Sequence, residues 1–464
     1  MAAAGAASLF VDHTTHWAAH YPKSFVTVAQ PPGVADDSTA LEGFHWIQMC
    51  KLGSAIRPGG PALDLMGPWF QPSSWLYYWF DLNVQLQCWP LCTANRLALA
   101  ETLVHLVTTH PTELAANTAG HGNGVSGIGG ACPYNMECIV PTMGGKGAPM
   151  VGDGPWIMHN LYLHAIRAPN TSMLTETVFP LLRRTTQMYL TNAFEIDGVW
   201  HLPPTDSPEY PFQTLGGDAN YDLALFEWGL RTLVELADEH APADAMPPRW
   251  RAVLSNITSG PTDANGYMVN NRTGFDHPHR HFSHAFHIYP LHLITGDFSK
   301  LDLAERTLDR WAGLTCGGPT QKSCPNGFTY DGAASISALV GRPDDAVGCL
   351  TAFIASSKVH ASTIVLRGRK SMHRIATCRG EHAPGASARL VGIEDPGLCR
   401  PAEELPGCHL CVVAGRGRDR NHRPAQRRPD AVCRGHRRWH LPDGRHRHRH
   451  DWHARGHRRS AGRV

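Results

Sequence analysis

The sequence predicts a mainly α-helical protein, an (α/α)6 toroid that is incomplete in this chain and is followed by an Arg/His-rich tail. Three observations support this. Apolar residues recur at helical spacing in many segments, these segments come in sequential pairs separated by Gly/Pro-rich loops, and the alternation typical of β-strands is nearly absent. An α-solenoid is the alternative, but the chain shows no repeat of fixed period.

The strongest helical pattern covers residues 220–237. Its apolar face is formed by Leu223, Phe226, Leu230, Leu233 and Val234. Further helices are predicted at 41–56, 82–107, 156–166, 173–194, 248–256, 283–294, 300–312, 333–339 and 344–354. Pro90 is expected to interrupt the helix at 82–107, because proline has no backbone N–H to donate.

Residues 357–464 differ in composition from residues 1–356. They contain 22 Arg and 12 of the 29 His of the chain, and no Lys follows Lys370. Residues 445–450 read Arg-His three times, and the segment has no apolar periodicity. We therefore predict a folded domain at 1–356 and a low-complexity basic tail, expected to be disordered, at 357–464.

Two interpretations of the tail are open. Arg, Ala, Gly, Pro and His are the residues that a GC-rich gene yields when it is translated in the wrong frame. Codons compatible with residues 360–368, 381–398 and 407–416, shifted by one base, can read TRPRLYSEG, STPPAPALGSWESRIPGY and DAIFAWLRA. This favours a frameshift near residues 354–360. The alternative is a genuine basic tail that binds nucleic acid or metal.

The charge of residues 1–356 differs from that of the whole chain. They hold 18 Lys and Arg against 31 Asp and Glu, a net charge of −13 with His neutral. An acidic domain is not expected to bind nucleic acid. No run of 18 apolar residues predicts a membrane span, and the first nine residues lack the charged and apolar regions of a signal peptide.

The spacing of the cysteines allows two local disulfides. Eight Cys precede residue 357: Cys50, Cys88, Cys92, Cys132, Cys138, Cys316, Cys324 and Cys349. Cys132 with Cys138, and Cys316 with Cys324, each bracket a Gly/Pro-rich loop. Each pair fits either a disulfide or two free buried thiols.

The first polar cluster lies within the aromatic segment at residues 75–90. Asp81, Asn83 and Gln85 alternate with apolar residues there, and Trp89 follows. Aromatic rings stack on the apolar faces of sugars, and amides and carboxyls pair with sugar hydroxyls. The segment therefore indicates a sugar site. The alternative is a helix-capping Asp81 before a buried helix.

Two acidic clusters follow. Glu209 lies in a proline-flanked loop at 203–211, which fixes the backbone and can aim the carboxyl at a leaving group; the alternative is an exposed turn acid. Asp218 or Asn220 is expected to cap the helix that begins nearby. Asp222, near the start of that helix, is expected to face a cleft.

The fourth cluster reads DHPHRHFSHAFH at residues 276–287. Metal binding is one interpretation, but the spacing is not that of the metalloprotease motif H-E-x-x-H, and Asp276 is the one carboxylate within the cluster. We favour His and Arg side chains that hydrogen-bond a polar ligand. Exposed histidines without a function are the third possibility.

Together, the four clusters resemble the catalytic domain of glycoside hydrolase family 95, whose members include inverting α-L-fucosidases and α-L-galactosidases. The run DLNVQLQCWP at 81–90 is similar to the family's N-x-N-x-Q-M-N-Y-W-P. The run HRHFSHAFHIYP at 279–290 matches H-R-H-x-S-H-L-x-x-L-Y-P closely. The run NYDLALF at 220–226 and the SPE loop at 207–209 resemble the start of the family's M-D helix and its acid loop. The resemblance covers about residues 10–355.

The resemblance implies a role for each catalytic residue. Glu209 is the implied general acid, and Asn83 is implied to position the attacking water. Asp81 stands where the family usually has a second Asn. It is expected to supply a base at the carboxyl separation of ~6.5–9.5 Å that inversion requires. The aspartate that orients the water amide in the family, in an I-D-x-N-F-G-like segment, is not found in this sequence.

The resemblance also implies the substrate and the binding residues. These are Trp89, Asp222, His279, Arg280, His281 and His284. The expected substrate is an oligosaccharide or polysaccharide from which terminal α-L-fucose or α-L-galactose is released, with no cofactor and no metal. A secreted or extracytoplasmic location is implied. The alternatives are an inactive carbohydrate-binding relative and, if the tail is genuine, a nucleic-acid-binding or metal-binding protein.

Overall fold

Helices dominate the computed structural model, which confirms the mainly α prediction and is consistent with an incomplete helical toroid. The described residues are 4–28, 38–65, 77–117, 131–132, 134–137, 151–210, 216–241, 243–294, 297–317, 324 and 326–356. The tail at 357–464 lies outside them. The domain boundary and both interpretations of the tail therefore stay predictions.

Twelve α-helices are present within the described residues. They are α1 (Ala4–His20), α2 (Ser38–Ala55), α3 (Asn83–Thr93), α4 (Leu97–Thr108), α5 (Pro111–Ala116), α6 (Asp153–Arg167), α7 (Phe179–Asn192), α8 (Asn220–His240), α9 (Pro247–Asn256), α10 (Leu301–Cys316), α11 (Gly327–Leu339) and α12 (Pro343–Ala355). A π-helical turn, Met173–Val178, leads into α7. Sequential helices pack against each other, as in the pairs α7–α8, α8–α9 and α11–α12.

Three two-stranded antiparallel sheets complete the described fold. β1 (Tyr78–Trp79) pairs with β2 (Ala131–Cys132), β3 (Phe194–Ile196) with β4 (Val199–His201), and β5 (Thr262–Asp263) with β6 (Gly266–Tyr267). Asp197 and Gly198 both have positive φ, as a tight two-residue hairpin turn requires. β1 matters most for the site, because it runs directly into α3.

The predicted break at Pro90 is wrong. Pro90 lies inside α3, and the N–H of Ala94 donates to its carbonyl oxygen at 2.9 Å, so the helix continues beyond the proline. The chain turns at Asn95, two residues after the end of α3, where the backbone adopts a left-handed conformation with φ +54°. Asn tolerates this conformation better than most residues, so the turn between α3 and α4 forms there.

The prediction of a helix at 283–294 is also wrong. Only Ser283–Ala285 forms a 3-10 turn, and the following residues form successive turns. Pro290 cannot donate a helical hydrogen bond, and His292 has a positive φ of 54°. The histidine cluster is therefore carried by an irregular segment, which packs against α8 and α10.

The core is built from large aromatic and aliphatic side chains. Trp250, Trp311, Phe80, Phe226 and Phe282 are among the largest fully buried residues. A smaller separate cluster contains a disulfide between Cys316 and Cys324, with Cα atoms 4.2 Å apart. The disulfide interpretation of this pair is therefore confirmed.

The other cysteine pair is described only in part. Cys132 is disulfide-bonded, and Cys138, the partner that the spacing suggested, lies outside the described residues. Cys88 and Cys92 are buried thiols in α3. Among the described helices, none has the length and apolar character needed to cross a membrane.

Two helical glycines allow a matched test of packing around the histidine segment. A Cβ added at Gly332 would clash with the ring of Phe282 and lie 3.1 Å from Trp311, whereas a Cβ at Gly313 would meet no atom within 4 Å. We expect Gly332→Ala to lower the free energy of unfolding by about 1–3 kcal/mol through overpacking. Gly313→Ala should leave it unchanged or raise it by about 0.5–1 kcal/mol. Urea titration of both variants measures the difference, and equal effects would contradict this packing.

Candidate active site

Asp81 and Asn83 lie at the junction between β1 and α3. The buried side-chain amide of Gln85 donates to the carbonyl oxygen of Phe80 and so fixes the backbone just before Asp81. The amide of Asn160 on α6 donates to the carbonyl oxygen of Gln85 at 2.9 Å. Asp81 is 2 % exposed, and Asn83, the first residue of α3, is half-buried. The junction therefore holds both side chains in a fixed segment of backbone.

The loop that carries Glu209 is anchored at three points. The hydroxyl of Thr205 donates to the carboxyl of Asp222, and the hydroxyls of Ser207 and Ser283 lie 2.7 Å apart. The hydroxyl of Tyr210 accepts two backbone N–H groups from residues 276 and 277, each at 2.8 Å. Glu209 therefore projects from a loop whose position is set on both sides of it.

Asp222 is one of these anchors and does not line the cleft, so the expected substrate contact is corrected. Its side chain is fully buried. One carboxyl oxygen accepts a bond from Tyr189 at 2.7 Å and the other accepts one from Thr205 at 2.5 Å. Burial raises its pKa to about 7. Both oxygens are occupied by protein hydroxyls, so Asp222 acts on the site through the loop.

The capping roles expected for Asp218 and Asn220 are wrong as well. The residue before α8 is Ala219, and no side chain caps the helix. The carboxyl of Asp218 accepts the N–H of Leu202 at 2.8 Å and lies 2.9 Å from Nδ1 of His201. The amide of Asn220 instead donates to two backbone carbonyl oxygens, at 2.8 and 2.7 Å. Both residues join the loops around the start of α8.

The His279–His281 segment is held between α10 and α11. The carbonyl oxygen of His279 accepts bonds from Trp311 Nε1 at 3.0 Å and from Thr315 Oγ1 at 2.9 Å. On the other side, the hydroxyl of Thr329 donates to the carbonyl oxygen of Arg280 at 3.4 Å. The backbone of this segment is thus fixed by two helices, although the segment itself is irregular.

Glu209 meets this segment directly. The guanidinium of Arg280 donates to Oε2 of Glu209. The backbone N–H of Glu209 donates to Nδ1 of His281 at 3.3 Å, and the same nitrogen lies 3.5 Å from Oε2. The Glu209 side chain is 19 % exposed, so it remains open to a ligand while it is largely shielded from water.

Asp81 lies on the other side of Glu209. Burial and the neighbouring Glu209 carboxyl raise the pKa of Asp81 to about 7. Asp81 is therefore partly protonated near neutral pH. The base role expected for Asp81 and its separation from Glu209 stay predictions.

The histidines of the site are neutral. Burial and the charge of Arg280 lower the pKa of His279 to about 4 and that of His281 to about 2. Burial lowers the pKa of His284 to about 3, and its ring stacks on Phe275 with centroids 4.4 Å apart. A neutral imidazole offers one donor and one acceptor, which suits hydroxyl groups.

Glu209, His279 and His281 are the group in the described residues that most resembles a metal site. One ligand atom from each lies within 4.8 Å of the others. However, Glu209 already pairs with Arg280, whose positive charge would oppose a cation at the same position. The donor set therefore fits an organic ligand better than a metal ion.

Trp89 does not reach the cleft, so the binding role expected for it is corrected. Its side chain is 8 % exposed and packs within the core, with ring centroids 5.3 Å from Tyr289 and 5.9 Å from Trp156. Trp156 lies on α6, so the Trp89 indole takes part in the contact between α3 and α6. Trp89 supports the fold beneath the site.

Sequence reasoning missed two acidic residues near the site. Asp153, the first residue of α6, is fully buried and interacts with Asp81; burial holds its pKa well above the usual range. Asp331 lies on α11, where desolvation by the surrounding protein raises its pKa to about 7. The same helix carries Phe328, whose ring lies 5.5 Å from that of His281. Neither acid stands in a recognisable motif.

A family model described as the glycosyl hydrolase family 95 catalytic domain matches residues 51–365. The chain belongs to this family. The match spans the Asp81–Asn83 junction, the Glu209 loop and the His279–His281 segment, so all three parts of the site lie within it. This family 95 protein is therefore a glycoside hydrolase with a carbohydrate substrate. A search of curated proteins gave no match to it.

The buried anchor Asp222 gives a pH-dependent prediction. Its carboxyl ionises at about 7 in the folded protein but near 3.8 in the unfolded chain. Between these values the folded state keeps a proton that the unfolded state has lost, so the free energy of unfolding falls as pH rises. Asp222→Asn removes this contribution, which is roughly 4 kcal/mol at most.

Urea titrations at pH 4, 5.5 and 7 measure this difference. The stability of Asp222→Asn relative to wild type should increase with pH. Asp302→Asn, at an exposed position on α10, is the control and should show no such trend. Parallel pH curves for wild type and Asp222→Asn would show that the carboxyl ionises normally in the folded protein.

Proposed function

We propose that this glycoside hydrolase releases a terminal sugar such as α-L-fucose or α-L-galactose from oligosaccharides or polysaccharides, with inversion at the anomeric carbon. The observation that carries the proposal is the position of Glu209. Its carboxyl lies between Arg280 and Asp81, in a site that is shielded from water but open to a ligand. This is the environment that a general acid needs.

The proton for the leaving group comes from the Asp81–Glu209 pair. Arg280 donates to the Glu209 carboxyl, and the raised pKa of Asp81 lets Asp81 hold a proton beside it. When a glycosidic oxygen displaces part of this contact, the proton passes to Glu209 and from there to the oxygen. Asp81 thus stores the proton that Glu209 delivers.

Asn83 positions the attacking water. Its amide oxygen can accept a hydrogen bond from water, and its place at the first residue of α3 fixes the backbone beside Asp81. As the water oxygen bonds to the anomeric carbon and the bond to the leaving oxygen breaks, the water releases a proton, which passes to the Asp81 carboxylate left ionised by the transfer to Glu209. The water attacks from the face opposite Glu209, which gives inversion.

The binding groups suit a neutral sugar. His279, His281 and His284 are uncharged at neutral pH, and the charge of Arg280 is balanced by Glu209. A site for an anionic sugar would be expected to offer an unpaired cation instead. Neutral fucose and galactose fit this pattern, and they are the sugars that the family resemblance implies.

Replacing the acid tests the proposed function. We expect Glu209→Gln to lower kcat on an α-L-fucosyl or α-L-galactosyl oligosaccharide by about 10²–10⁴-fold, because the amide cannot supply the proton. The loss should be smaller on an aryl glycoside, whose leaving group needs little protonation. Sugar binding, measured by calorimetry, should persist.

The exposed Glu235→Gln on α8 is the matched control and should keep full activity. Full activity of Glu209→Gln on the oligosaccharide would reject Glu209 as the acid. Sugar binding by the wild-type protein without turnover of any glycoside would favour the alternative, an inactive carbohydrate-binding relative.

The stereochemistry of the product tests the role of Asp81. If Asn83 holds the attacking water, hydrolysis of an α-glycoside releases the β-anomer first, as ¹H NMR recorded during the first minutes of the reaction can show. The first-formed α-anomer would contradict inversion. It would then point to Asp81 as a nucleophile, since retaining enzymes place their two carboxyls close together.

A further inference from the structure

Two exposed tyrosine rings lie next to each other around β1. Tyr77 is 40 % exposed and Tyr134 is 49 % exposed, and their ring centroids lie 5.8 Å apart. The buried ring of Tyr78 packs edge-on against Tyr134 at 5.5 Å and supports it from below. Adjacent exposed aromatic rings offer a surface for the apolar face of a sugar.

Hydrogen bonds hold this aromatic surface in place. The hydroxyl of Tyr134 donates to Oδ2 of Asp64 at 2.8 Å, and the carbonyl oxygen of Tyr77 accepts the N–H of Leu65 at 3.3 Å. Tyr78 pairs with the disulfide-bonded Cys132 across the β1–β2 sheet. Tyr77 itself has a φ of +86°, which side-chain-bearing residues rarely adopt. The hydrogen bonds and strand pairing around Tyr77 therefore hold its backbone in this unfavourable conformation, in which the ring is exposed to solvent.

The aromatic surface is connected to the Asp81–Asn83 junction in two ways, through the backbone and through a hydrogen bond. Tyr77 precedes Asp81 by four residues, so their Cα atoms are at most ~14 Å apart. At the other end, Gln87 donates to the carbonyl oxygen of Asp64 at 3.1 Å. Gln87 lies one helical turn after Asn83 on the same side of α3. The tyrosines thus lie within reach of a substrate that occupies the site.

We propose that Tyr77, Tyr134 and Asp64 form a second carbohydrate subsite, which binds sugar residues on the leaving-group side of the bond that Glu209 protonates. The inference rests on the proposed function. If the site removes a terminal sugar, every further sugar of the substrate belongs to the leaving group. The rings bind apolar sugar faces, and the Asp64 carboxylate accepts hydrogen bonds from hydroxyls, so the preferred occupant is a neutral oligosaccharide.

The test compares substrates with and without leaving-group sugars. In the double variant Tyr77→Ala/Tyr134→Ala, we expect KM for a fucosyl or galactosyl oligosaccharide of at least three sugars to rise about tenfold, or ~1.4 kcal/mol. Kinetic constants for the aryl glycoside, which has no leaving-group sugar, should stay at the wild-type values. Phe298→Ala, which removes an exposed ring elsewhere, should change neither substrate.

Conservative variants separate stacking from folding. Tyr77→Phe keeps the ring, so it should retain the wild-type KM, while Tyr134→Phe loses the bond to Asp64 and should give an intermediate KM. Thermal unfolding of each variant identifies any loss of fold. An unchanged oligosaccharide KM in a folded double variant would overturn the subsite, as would an equal rise in KM for the aryl glycoside.

Binding measurements keep this inference separate from the proposed function. Calorimetry with the same oligosaccharide, in the Glu209→Gln background, reports the subsite without turnover. Weaker binding on loss of both tyrosine rings, combined with no hydrolysis by the wild-type protein, would support a carbohydrate subsite and reject the hydrolytic role. Equal affinity with and without the rings would reject the subsite even if the protein hydrolyses glycosides.

Discussion

The hydrogen bonds between Asp222, Thr205 and Tyr189 are the interaction on which the geometry of the site depends. Asp222 is fixed at the start of the longest described helix, α8, and Thr205 begins the loop that ends at Glu209. Placing a carboxyl group in the core is unfavourable unless its oxygens accept hydrogen bonds. If the loop moved away, Asp222 would lose its bond from Thr205 and keep a buried oxygen without a donor, which is unfavourable. The position of Glu209 is thereby coupled to the stability of the core.

The electrostatics of the site follow from that placement. Once the loop brings Glu209 against Arg280, the two form an ion pair, and burial beside Glu209 raises the pKa of Asp81. Low water content strengthens both interactions. The same shielding keeps His279 and His281 uncharged, so a single ion pair lies among neutral groups.

The sequence predicted what depends on local pattern and missed what depends on long-range contacts. Helical spacing located α8, and the H-R-H run located the segment that meets Glu209. Sequence could not show that Asp222 faces inward, because its partners lie 17 residues away in a loop and 33 residues away on α7. Trp89 is a second example, because the sequence alone does not show whether an aromatic residue contacts a sugar or packs in the hydrophobic core. Asp153 was missed because its only link to the site is spatial.

The disulfide adds a covalent constraint to the same site. Cys316 ends α10 one residue after Thr315, which bonds the carbonyl oxygen of His279, and Cys324 precedes α11, whose Thr329 bonds that of Arg280. The bond therefore joins the two helices that hold the histidine segment from opposite sides. This segment is irregular and has no helical hydrogen bonds of its own. The position of its backbone therefore depends on the contact between α10 and α11. Linking these helices restricts the movement that would separate Arg280 from Glu209.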